Sequence, residues 1–149
     1  MVEINQNAEP TNQHAIELFQ RFIGKKLPKD YAKFLLDYNG GSPVPDAFEF
    51  EDGSGGSSVR YFHGLRKNAD DDDLLRNIDV YKDRMPTDFL PIASDFGGNK
   101  IVMAVSGQYY GRVFFWDHEN EVDEGSVAGM QNMSLIAKNF SSFLSGLHV

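Results

Sequence analysis

The feature that most constrains this chain is the run Val113-Phe114-Phe115-Trp116, four large apolar residues in a row bounded by Arg112 and by Asp117-His118. It is too short to settle as a helix, and as a strand it turns apolar side chains to both faces. A strand greasy on both sides belongs inside a sheet whose two faces are both covered. The residues before it supply strand neighbours: Leu90 to Ser94 and Lys100 to Val105 are short apolar runs separated by Asp95-Phe96-Gly97-Gly98-Asn99. In that separator Asp95 and Asn99 can hydrogen-bond the local backbone, while Gly97 and Gly98 permit positive φ, so it reads as a turn. Upstream, Ala47-Phe48-Glu49-Phe50-Glu51 alternates as a strand with one apolar and one acidic face, and Val59 to His63 reads as its neighbour across the mobile loop EDGSGGSS.

Helices are expected at four places. Ala15, Ile16, Leu18, Phe19, Phe22 and Ile23 recur at helical spacing between Thr11 or Asn12 and Gly24. A second helix opens at Leu27-Pro28, carries Tyr31, Phe34, Leu35 and Tyr38, and stops at Asn39-Gly40-Gly41. A third follows Asp70 to Asp73, with Leu74, Ile78, Tyr81 and Met85 on one face and Pro86 as its end; acids there suit a helix N-terminus better than a metal site. A final stripe runs through Leu135, Ile136, Phe140, Phe143, Leu144 and Leu147. The pattern predicts an α+β fold: one domain over residues 1–149, with a central, mostly antiparallel sheet flanked by about four helices and residues 1–10 as a polar lead-in. With 149 residues, it can bury roughly 70% of the surface of its unfolded chain.

Charge narrows the function. The net charge is −8, opposite to the basic footprint that direct nucleic-acid binding requires. It is also segregated: Arg21, Lys25, Lys26, Lys29 and Lys33 face only Asp30 across residues 21–33, whereas residues 34–59 hold Asp37, Asp46, Glu49, Glu51 and Asp52 and no Lys or Arg. Such a field attracts cationic surfaces. The absence of cysteine excludes disulfides and thiolate chemistry. The start lacks a signal-peptide pattern and no apolar run reaches the roughly 20 residues of a membrane span, so a cytoplasmic location is expected.

Catalytic motifs fail on inspection. The histidines His14, His63, His118 and His148 have no zinc spacing, the glycines near residue 55 have no phosphate-loop spacing, and no GxSxG elbow occurs. The Asp95-Phe96-Gly97 triplet stands without the other kinase motifs. Asp117, Glu119 and Glu121 share a side if their strand persists, and an exposed acidic rim accounts for them. A small hydrolase or metal enzyme using Asp95 or Asp117 is the enzymatic alternative.

The order of Leu27-Pro28, Tyr31, Phe34, Leu35, Asn39-Gly40-Gly41, Leu90-Pro91-Ile92-Ala93-Ser94-Asp95, Gly97-Gly98-Asn99, Gly111, Val113 and Trp116-Asp117-His118-Glu119 resembles the SUKH superfamily, which contains bacterial immunity proteins and fungal cell-wall-synthesis regulators. The resemblance implies a binder rather than an enzyme, without metal or cofactor. Its partner would be the cognate toxin domain of a bacterial polymorphic toxin, with a basic nuclease domain as the candidate. The partner-binding candidates are the acids Glu49, Glu51, Asp52, Asp117 and Glu119, with Tyr109 and Tyr110 as aromatic anchors. The other reading is an intracellular regulatory scaffold that binds a signalling or cell-wall-synthesis partner.

Overall fold

A computed structural model describes residues 2–6 and 8–149; residues 1 and 7 of the expected lead-in lie outside the described residues. In chain order the elements are β1 (Glu3–Asn5), α1 (Gln13–Ile23), α2 (Lys29–Tyr38), β2 (Ser42–Val44), β3 (Ala47–Glu49), β4 (Gly56–Phe62), α3 (Leu74–Tyr81), β5 (Phe89–Asp95), β6 (Lys100–Ala104), β7 (Val113–Trp116), β8 (Met133–Ala137) and α4 (Phe140–Ser145). Strands β3 to β8 form one six-stranded sheet in sequential order, antiparallel at every junction. Within the polar lead-in, β1 pairs with β2 in a separate two-stranded sheet.

The large sheet curls until its edges approach. Glu51, just past β3, donates its N–H to the Leu135 carbonyl of β8 at 2.8 Å, and Ala47 exchanges two backbone bonds with His148, each 3.0 Å. The result is a nearly closed, barrel-like α+β domain. Register irregularities interrupt the ladder in β4 between Val59 and Tyr61, in β5 between Pro91 and Ala93 and in β7 between Val113 and Phe114; a proline in an interior strand is tolerated at such a break.

The expectation for β7 is met, with all four of its residues buried. Val113 and Phe115 join Ile101 and Met103 of β6 in the main core, while Phe114 and Trp116 join Val102 and Ala104 in a second cluster on the other face. The main core is aromatic: Phe34 of α2 lies 4.9 Å from both Phe62 and Phe140, centroid to centroid.

Local signals at the helix ends also appear as expected. Asn12 caps α1 by accepting from Ala15 N–H, Gly24 closes it at φ 70°, and Asp73 caps α3 by accepting from Arg76 N–H. Asn39 ends α2 in the left-handed region at φ 51°. It is held there by side-chain bonds to the backbones of Glu9 and Leu65.

The structure corrects several details. Leu135 and Ile136 lie in β8, so the last helix is only α4: β7 needs a second neighbour, and Asn139 starts the helix by accepting from Ser142 N–H. α3 stops at Tyr81, leaving Met85 buried in the turn beyond it. In α1 the core takes Ile16 and Phe19, and Leu18 and Phe22 face solvent at 49% and 74% exposure. Of the two turn glycines after Asp95, only Gly98 has positive φ, 86°.

Candidate functional site

Strand polarity decides which loops meet. β3 runs to Glu49 and β4 returns from Gly56; β5 arrives at Asp95 and β6 leaves from Lys100; β7 arrives at Trp116 and β8 leaves from Met133. Antiparallel order therefore places loops 50–55, 96–99 and 117–132 at one end of the sheet. Those loops contain Glu51, Asp52, Asp117, Glu119, Glu121, Asp123 and Glu124, and no Lys or Arg.

At this acidic end the turns are built by carboxylates. Asp95 Oδ1 accepts from the N–H groups of Gly97 and Asn99, at 2.9 and 2.8 Å, and Oδ2 accepts from Asn99 Nδ2 and Ser57 Oγ, both at 2.9 Å. Burial alone would raise the Asp95 carboxyl; these bonds outweigh it and hold the group below the ordinary aspartate value. Asn99 Oδ1 in turn accepts from His118 N–H, and the His118 ring lies 2.9 Å from the Gly97 carbonyl, so the β5–β6 turn is tied to the end of β7. Phe96, within that turn, is 67% exposed.

The strand carrying Asp117 ends at Trp116, and Asp117 starts a 3-10 turn over His118–Asn120 by accepting from Glu119 N–H. The alternation expected to align Asp117, Glu119 and Glu121 is thus absent; Glu121 instead pairs with Arg84 at 2.8 Å. Asp52 accepts from the Ser54 hydroxyl and N–H, which lower its carboxyl below the ordinary value. Among the described residues Glu49, Glu51, Asp52, Asp117 and Glu119 form no ion pair, and the side chains of Glu49, Glu51 and Glu119 have no hydrogen-bond partner.

Tyr109 and Tyr110 lie elsewhere. Their hairpin joins the opposite ends of β6 and β7, on the order of 16 Å from the acids for a five-residue strand. Tyr109 packs edge-on to Phe114, and Tyr110 donates its hydroxyl to the Lys26 carbonyl at 2.6 Å. That end also holds the Lys25 contact to the Thr87 carbonyl. The structure therefore groups the five acids and separates the two tyrosines from them.

Two features escape the sequence patterns. Phe96 reads only as part of a turn, although a large aromatic flanked by turn-forming residues is a signal of exposure. The other is a buried polar group behind the same end. Lys100 Nζ bonds Asn77 Oδ1 at 2.9 Å and Ser94 Oγ at 2.6 Å and faces the Tyr81 ring at 5.0 Å. Desolvation lowers the Lys100 ammonium to about 8, with Arg84 adding to the fall and Asp71 and Asp95 opposing it. Neighbouring His63 is fully buried; desolvation first, then the charges of Lys100 and Arg66, keep it well below the ordinary histidine value. A lysine opening an apolar strand, opposite Ser94 in register, is the only sequence hint of this group. Among the described residues no His, Asp and Glu side chains gather in a metal-binding cluster, and no helix is long and apolar enough to cross a membrane.

Residues 10–146 match the SMI1 / KNR4 family (SUKH-1). The SPbeta prophage-derived uncharacterized protein YokK of Bacillus subtilis (strain 168) is 32% identical over 154 residues, an alignment covering 92% of this chain and 74% of that protein.

Proposed function

The chain belongs to the SMI1/KNR4 (SUKH-1) family, and from that premise we propose that it is a cytoplasmic immunity protein that binds and neutralises the cognate toxin domain of a bacterial polymorphic toxin. Members of the family are generally non-catalytic immunity or regulatory proteins, and similarity to a prophage-derived bacterial protein fits the bacterial setting.

One observation carries the reading: three loops gathered at one end of the sheet hold seven carboxylates and no Lys or Arg, around the exposed Phe96. Unpaired surface carboxylates attract a cationic partner over a Debye length of about 8–10 Å and raise the encounter rate. An aromatic side chain at the centre of such a rim supplies the desolvated anchor on which affinity commonly depends. A basic nuclease domain has the matching charge, because its own substrate is a polyanion. Glu49, Glu51, Asp52, Asp117 and Glu119 then form the rim. Tyr109 and Tyr110 would engage only a partner that reaches along the barrel wall.

The test is co-expression with the toxin domain encoded beside this gene, scoring survival and co-purification. Rescue with a stable complex is the expected result. Absence of both, with the two proteins folded, would overturn the immunity reading in favour of a regulatory scaffold.

A further inference from the structure

Between α3 and the acidic ends of β4, β5 and β6 lies a pocket of about 260 Å³ whose lining includes Lys100, Ser94, Asn77, Arg60 and Arg76. Its charge balance differs from that of the surrounding surface. Lys100 is only 7% exposed, yet its ammonium meets two neutral oxygens and an aromatic face, and among the described residues no carboxylate lies within ion-pair distance. Removing an ammonium from water without a counter-ion is costly, and hydrogen bonds to neutral groups return only a part of that cost. Arg60, exposed in the pocket lining, also forms no ion pair among the described residues.

The pocket's two carboxylates do not satisfy these cations. Asp95 has both oxygens engaged by its own turn and Ser57. Asp71 is exposed and makes a loose 3.6 Å pair with Arg76, whose other Nη donates to the Ala69 carbonyl. Arg84, which adds positive potential at Lys100, is paired with Glu121. Among the described residues Lys100 and Arg60 are left without an ion-pair partner in one concave site that Tyr61 and Tyr81 also line.

We infer that this pocket binds a phosphate-class oxyanion, with Lys100 as the buried cation and Arg60 and Arg76 closing over it from the mouth. A dianion matches the two spare charges, and charge-assisted hydrogen bonds to ammonium and guanidinium are about twice as strong as neutral ones. The volume exceeds what inorganic phosphate fills and leaves room for the organic part of a phosphate monoester. The pocket shares Phe96, Gly98 and Asn99 with the proposed partner interface, but its ligand is read by 31P line width and not by toxin binding, so each can fail without the other.

The test uses the full chain at pH 7.5, titrated with potassium phosphate and with glycerol phosphate against potassium chloride at equal ionic strength, following melting temperature and 31P line width. A saturable rise in melting temperature with 31P broadening is expected in the wild type. Lys100→Met, which keeps the volume and removes the charge, should abolish both, and Arg60→Gln should weaken binding roughly tenfold. Tighter binding of the monoester identifies an esterified ligand, and tighter binding of phosphate identifies the free ion. Equal gains in wild type and Lys100→Met would reveal only general salting-out and overturn the proposal. So would the absence of saturable 31P broadening in the wild type. If Lys100→Met does not fold, the exposed Arg60→Gln decides: a roughly tenfold loss supports the site, and unchanged affinity overturns the proposal.

Discussion

The two ends of the barrel are made from the same strands and differ in chemistry. At the acidic end, carboxylates either build the turns, as Asp95 and Asp117 do, or stand free, as Glu49, Glu51 and Glu119 do. At the other end, Lys25 reaches the Thr87 carbonyl and Tyr110 reaches the Lys26 carbonyl, so polar side chains are spent on joining the α1–α2 connection to the β-structure. The contrast teaches that a net charge of −8 is a poor description of this surface. What a partner meets depends on which end it approaches.

The largest expected effect separates the ends by stability. Asp95→Ala removes four side-chain bonds at a buried site, and should cost about 2–3 kcal/mol, lowering the melting temperature by roughly 5–10 °C. Calorimetry of this variant showing no loss would mean that the acidic end is not held by its turn. Phe96→Ala should leave the melting temperature nearly unchanged but cost about 2 kcal/mol of toxin binding, roughly a thirtyfold rise in Kd seen mainly in the off-rate. Unchanged affinity would shift the interface away from the acidic end.

A smaller effect concerns steering. Glu49→Lys with Glu51→Lys should slow association about tenfold at low salt, whereas Lys25→Glu with Lys26→Glu should not slow it. Equal slowing by both pairs in stopped-flow measurements would break the distinction between the ends. Tyr110→Phe deletes one half-exposed hydrogen bond and should cost about 0.5–1 kcal/mol of stability.

The last effect is a pH dependence beneath the acidic end. Lys100 in the folded chain titrates near 8, below its unfolded value, so between the two the unfolded chain binds more protons and stability rises with pH. Burial raises the Tyr31 hydroxyl above its ordinary value, so the unfolded chain loses that proton first and stability falls again above about pH 10. Denaturant midpoints from pH 7.5 to 10 should therefore climb, and Lys100→Met should flatten the climb.

Much of the fold is legible residue by residue. The apolar run at β7 demanded cover on both faces, Asn12, Gly24 and Asp73 announced helix ends, and Asp95 with Asn99 announced a turn, because each depends on backbone geometry within a few residues. The acids were legible as one candidate set but not as sharing one end of a sheet, and Leu135-Ile136 fitted a helical stripe as well as a strand.

What the sequence by itself determined is therefore the period of each segment, the chemistry of its turns, the α+β class and the family. Only the tertiary structure decided that β8 completes the sheet, that Leu18 and Phe22 face solvent, that Lys100 is buried beside Ser94, and that loops far apart in sequence gather at one acidic end while Tyr109 and Tyr110 lie at the other. The reason is physical: helical and strand periods, caps and turns arise from contacts within a few residues, whereas burial, sheet closure and the sharing of an end depend on which strands pair and in which direction.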